Sequence, residues 1–119
     1  MVSCIFIFLA AVCNAVMDKT QFHFHKSIFK TLNPYFWNGE ISWQNKYINR
    51  DFNQGFKKTP VQFTDAFHLF KSLMIIFFVA AVVYYKPMIN AFIDFLIFGA
   101  CWNGTFNCFF NKILANEND

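Results

Sequence analysis

The stretch Ala66–Tyr85, AFHLFKSLMIIFFVAAVVYY, decides how this chain is read. From Ser72 to Tyr85 no charged residue interrupts it. As a helix it rises about 30 Å, the thickness of a bilayer's hydrocarbon core. Lys71 is placed to snorkel toward an interface or to face a partner helix. Tyr84, Tyr85 and Lys86 put aromatics beside a cation, the pattern that anchors a helix end among headgroups. A membrane helix is expected over 66–85.

Downstream, Pro87 stops this helix and can open the next. The following run, 88–110, is MINAFIDFLIFGACWNGTFNCFF. It is long enough to cross, and the two runs are expected to form a tight helical hairpin. Asp94, Asn103 and Asn107 would be its intramembrane polar residues, and Gly99 and Gly104 permit a bend or close helix approach. Upstream, VSCIFIFLAAVCNAVM leads to Asp18-Lys19, and continuing through Phe24 completes a crossing, so a first helix is expected over 2–24. A cleaved signal peptide is the rival reading. No basic residue precedes the run and Asn14 interrupts it, which favours an uncleaved helix.

Residues 25–64 are polar and aromatic by turns. Leu32-Asn33-Pro34 and Trp37-Asn38-Gly39 carry turn signals. Trp37, Trp43, Tyr35 and Tyr47 suit a segment lying at the membrane surface. The tail, 111–119, is expected to be polar and frayed. The fold class expected is therefore an all-α membrane protein. It forms a single membrane domain over 1–119 with about three transmembrane helices, the last two a hairpin, and an interfacial segment between the first and second.

Composition agrees. Of 119 residues, 56% are apolar and 14% charged, where an average soluble domain has roughly 25% charged. Aromatics reach 22%, with 19 Phe. So small a soluble domain has too much surface to hide this apolar mass, and disorder or a coiled coil is excluded. Seven of the ten basic residues fall between 18 and 65 (Lys19, Lys26, Lys30, Lys46, Arg50, Lys57 and Lys58). They are too sparse for a specific nucleic-acid surface and suit anionic lipid headgroups. By the positive-inside rule, 25–64 is expected in the cytoplasm. Cys4, Cys13, Cys101 and Cys108 lie inside apolar runs without a C-x-x-C pair, and are expected to be buried thiols.

Several segments also resemble a known family. They are Asn14-Ala15-Val16-Met17-Asp18, Phe22-His23-Phe24, Ser27-Ile28-Phe29, Leu32 through Asn38 (LNPYFWN), Ser42 through Tyr47, Thr64 through Lys71 (TDAFHLFK) and Asn103 through Asn107. Together they resemble small uncharacterised integral membrane proteins encoded by bacteria and bacteriophages. The likeness runs over roughly 13–114, and Phe67 stands where that family has Trp. It implies a membrane location and supplies no activity; the bacterial inner membrane is the expected location.

Two groups of residues suggest chemistry. Asp65 and His68 are three apart and share a helix face, the carboxylate-x-x-His spacing used by metal sites in helix bundles. The plainer reading is that Thr64 caps the helix and Asp65 complements its dipole. Asn14, Asp18, Gln21 and His25 would form a polar stripe on a continuous first helix, with His23 pointing elsewhere. Such a stripe must face protein or water, and holding helices together is its plainer role. If the two groups converge, Asp18, His23, His25, Asp65 and His68 would suit a divalent metal that activates water. In the third run, Asn90 and Asp94 share one face and Asn103 and Asn107 the opposite one. Lys71 or Lys86 is the expected partner of Asp94.

No phosphate-binding glycine loop, nucleophile elbow or zinc-protease motif is present. The leading expectation is a non-enzymatic membrane or envelope interaction protein that contacts the bilayer, binds a protein partner through 25–64 and forms a homo-oligomer. The alternative is a metal-dependent membrane hydrolase acting on a lipid-linked substrate.

Overall fold

The computed structural model describes residues 1–116. Among them the regular elements are all helical. Five α-helices follow one another: α1 Val2–Phe22, α2 Pro34–Trp37, α3 Gly39–Ser42, α4 Ala66–Val83 and α5 Ala91–Cys108. Short 3-10 turns fill the segment between α1 and α4, and a π turn, Phe109–Ile113, extends α5. By length and hydropathy, α1 and α4 can cross a membrane. α5, with Asp94, Asn103 and Asn107 in its 18 residues, falls short of the same hydropathy.

α1 is the common partner of the other two long helices. Near its start, the Ser3 hydroxyl donates to the Ala81 carbonyl at 2.7 Å, close to the end of α4, so α4 runs antiparallel to it. α5 runs parallel to α1. Cys101 Sγ lies 3.8 Å from the Cys4 carbonyl, and Phe110, just past α5, meets Lys19 near the end of α1. The molecule is a slab, 52 × 38 Å across and 16 Å thick. The expected hairpin is thus altered. α4 and α5 both dock on α1, and they meet each other through ring pairs, Phe78 with Trp102 at 5.1 Å and Tyr85 with Phe98 at 5.9 Å.

Small side chains explain why α1 holds this position. Ala10, Ala11 and Ala15 are fully buried in α1, as is Ala66 in α4, and Ala81 nearly so. Residues of this size let helix backbones approach closely, the usual mode of packing where apolar burial cannot drive association. α4 buries these alanines and leaves Ile75, Ile76, Val79, Val82 and Val83 exposed.

The helix ends differ from expectation for local reasons. The first helix stops at Phe22 rather than 24, because His23 leaves helical backbone at φ −136° while its N–H still bonds the Lys19 carbonyl. The helix expected over 66–85 ends at Val83. The helix expected from 88 starts at Ala91, because Asn90 rather than Pro87 supplies the cap: its Oδ1 accepts from the Ile93 N–H at 3.0 Å.

The core lies at the end of the slab where the 24–64 segment gathers, as a collar around the helix ends. Phe24, Phe29 and Leu114 close over Ala15 and Val16, with Trp37, Phe70, Phe106, Phe109 and Phe110 around them. Trp37, expected at the membrane surface, stacks on Phe29 at 4.8 Å and meets Phe70 at 6.1 Å, joining collar to α4. Nor is the tail frayed over its described part. The Ile28 N–H donates to the Leu114 carbonyl, and the Asn116 N–H to the Lys26 carbonyl, each at 2.9 Å. Residues 117–119 lie outside the described residues. Of the four free cysteines only Cys13 is buried, and Cys108 is exposed.

Candidate functional site

The polar residues of the collar converge where α4 begins. Asp65 is extended (φ −155°) and is itself the N-cap, one residue later than the expected Thr64. Its Oδ1 accepts from the His68 N–H at 2.9 Å, and its Oδ2 from the Ser42 hydroxyl at 3.0 Å. Thr64 turns its hydroxyl back to the Val61 carbonyl at 2.7 Å. His68 Nδ1 also lies 2.7 Å from Asp65 Oδ1. An ionised carboxylate only accepts, so Nδ1 carries the proton and Nε2 bears the lone pair when the ring is neutral. Asp65 is 1% exposed. Every donor it meets belongs to the fold.

Beside this cap lies a polar cavity of about 350 Å³, lined by Tyr35, Asn45, Arg50, Lys57, Thr59, Phe63 and Thr64. A hairpin-like loop builds it. The Ile48 N–H donates to the Gly55 carbonyl at 3.0 Å and the Lys57 N–H to the Lys46 carbonyl at 2.8 Å. Gly55, at φ 80°, supplies the left-handed turn. Asn49 and Arg50 are also left-handed, at φ 52° and 60°. Asn adopts this region readily; Arg does so at a cost in strain. The reversal carries the Arg50 guanidinium over the Tyr35 ring, 4.9 Å from its centroid. There it donates to Asn45 Oδ1 and to the Ile41 carbonyl. Asn45 Nδ2 in turn donates to the Tyr35 and Thr64 carbonyls. Among the described residues no acidic side chain lines the cavity.

At the opposite end of the slab, Asp94 is 1% exposed in the first turn of α5. It accepts from the Tyr85 hydroxyl at 2.8 Å, the Met88 N–H at 2.9 Å and the Ile89 N–H at 3.2 Å. The partner expected for it, Lys71 or Lys86, is replaced by these three donors of the 84–90 connection. Both lysines are exposed. Asp94 fastens a loop at the end of a helix. Its bond with the Tyr85 phenol, helped by burial, raises the Tyr85 pKa above its ordinary value.

The other predicted residues do not join the Asp65–His68 pair. Asn14 and Asp18 are half-buried on α1. His23 and His25 are exposed, their rings edge-on to Phe110 at 5.4 Å and to Phe24 at 5.3 Å. Because α1 ends at Phe22, the polar stripe reaches Gln21 and His25 is not on it. Asp65 and His68 are brought together; Asp18, His23 and His25 do not join them. Among the described residues no group of three or more His, Cys, Asp or Glu is arranged to hold a metal. Trp43 and Tyr84 are exposed, as an interfacial role requires. Asn103 and Asn107 are exposed on α5. Ser42, Asn45 and Arg50 were not read as site residues from the sequence, where Arg50 counted only among the basic residues. Their only signals were turn residues, Asn49 and Gly55.

Compared with protein-family models, curated proteins and solved structures, the chain matches none of them.

Proposed function

We propose that this chain is a small integral membrane protein with three membrane helices, whose role is binding at headgroup level. The observation that carries this reading is the outer face of α4. Ile75, Ile76, Val79, Val82 and Val83 are exposed there, and no other described residue covers them. α5 adds Phe92, Phe95 and Leu96. A slab 16 Å thick has no interior to hide such faces, and lipid is the medium that accepts them. Its 18-residue length and apolar face support α5 as the third span beside α1 and α4.

The collar then sits at one interface with the C-terminal segment, and the chain start sits at the other with the 84–90 connection. The basic residues of the collar favour the cytoplasmic side, and the family resemblance favours the bacterial inner membrane. Binding rather than catalysis is favoured because Asp65 and Asp94, the most buried acids, spend their oxygens on groups of the fold. Asn103 and Asn107 leave amides on the lipid-facing side of α5, which a second copy of the chain would satisfy.

A second reading, the metal-dependent hydrolase, keeps one supporting observation. His68 is oriented by a carboxylate as metal-binding and basic histidines are, with Nε2 free.

The test is alkaline extraction of membranes from expressing cells, followed by thiol labelling of cysteine-free variants carrying Lys57→Cys or Lys86→Cys. Retention in the membrane pellet, with the two positions reached from opposite sides, is the expected result. Release into the supernatant would overturn the reading. Elemental analysis of tag-free protein separates the alternatives: an equivalent of metal lost in His68→Ala would favour the hydrolase.

A further inference from the structure

The cavity beside the α4 cap is walled by the 46–57 loop, which reverses at Asn49 and Arg50. Asn49 and Arg50 are the two left-handed central residues of a tight turn that the Asp51 N–H closes on the Ile48 carbonyl at 3.0 Å. The result is a guanidinium held on a fixed platform, the Tyr35 ring below and the Asn45 and Ile41 oxygens behind. Two of its five N–H groups are engaged by those oxygens, and Gln44 Oε1 at 3.3 Å takes a third, leaving donors for a ligand. Among the described residues no carboxylate pairs with it. The Lys57 backbone is pinned by the loop, and its side chain lines the same cavity, as does Thr59. A preorganised arginine, a lysine and a hydroxyl with no acid among them is the donor set of a phosphate site. The surroundings say where the phosphate comes from. Exposed Tyr35 and Phe63 line the mouth, and Phe52 and Phe56 are exposed on the same loop. Aromatic rings around a cationic cavity fit the headgroup layer of a bilayer.

We propose that the Arg50–Lys57 cavity binds a phosphate group, presented by the headgroup of an anionic lipid. The lipid source rests on the membrane reading above. The phosphate site itself does not, so the two can fail separately.

The test is calorimetric titration of the full chain in a non-ionic detergent with three probes: dihexanoyl phosphatidic acid, dihexanoylglycerol and inorganic phosphate. The phosphatidic acid is expected to bind at least tenfold more tightly than the diacylglycerol. Lys57→Gln and Arg50→Gln should each erase most of that difference. Arg50 also braces the loop. Lys57→Gln, whose side chain makes no bond among the described residues, therefore keeps the test decisive should Arg50→Gln perturb folding. Phosphatidic acid binding tenfold above inorganic phosphate upholds the lipid source. Equal affinity for the two upholds the phosphate site and gives it to a soluble ligand. Equal binding of phosphatidic acid and diacylglycerol, or affinity unchanged in Lys57→Gln, overturns the proposal.

Discussion

Asp65 shows how much a single residue settles here. One side chain caps α4, fixes the tautomer of His68 and ties the collar to the bundle through Ser42. Replacing it by Ala removes the cap and orphans a buried hydroxyl. The expected cost is about 1–2 kcal/mol, read as a lower midpoint in chemical unfolding of the detergent-solubilised protein. Asp65→Asn keeps one accepting oxygen and should lose no more than half as much. Tyr85 offers a pH test at the other end of the slab. Its hydrogen bond to Asp94 favours the neutral phenol, so its pKa is raised in the folded state. The stability this contributes is fully present below the ordinary tyrosine pKa, about 10, and is lost as pH rises through the folded value. Tyrosinate absorbance of the wild type minus that of Tyr85→Phe should therefore titrate above pH 10. A difference curve centred at or below 10 would contradict the Asp94 bond.

At the scale of elements, the decisive approach is that of α3 to the end of α1. Gly39 is buried, and a Cβ added there would lie 2.9 Å from the Gln21 Cα. Backbone cannot yield as a flexible side chain can. Gly39→Ala should push α3 off α1 at a cost of about 1–3 kcal/mol, measured as a fall in the thermal midpoint by circular dichroism. The Asn38 cap of α3, whose Oδ1 accepts from the Glu40 N–H at 3.1 Å, is untouched by that change. A midpoint equal to wild type would mean that α3 does not sit against α1.

For the whole molecule, the question is what covers a slab with both faces open. α5 exposes Ala100, Asn103, Gly104, Asn107 and Cys108, positions that share one helix face. Under the proposed membrane reading these amides would have no partner in lipid, and a second copy of the chain would satisfy them. Cys108 reports on it directly. Mild oxidation of isolated membranes should give a disulfide-linked dimer in the wild type and none in Cys108→Ser, while Asn103→Leu with Asn107→Leu should reduce the yield several-fold. Monomer alone under oxidation in the wild type would remove the dimer through this face.

The sequence by itself determined that the molecule is helical, that α1 and α4 are long and apolar enough to span, and which residues end up at each end of the slab. Hydropathy and helix-breaking residues are local properties, readable from a window of twenty residues. Only the tertiary structure decided that α1 is the shared partner of α4 and α5, that Trp37 is a core joint, and that Asp94 answers to Tyr85 and two backbone donors. It alone showed that Asp18, His23 and His25 do not gather with Asp65 and His68: Asp18 stays on α1, and the chain leaving the helix at His23 takes His25 off the stripe. The Arg50 cavity was invisible for the same reason. Its members lie up to 29 positions apart, and they meet through two left-handed residues and a loop closure whose energetics depend on contacts made across the fold.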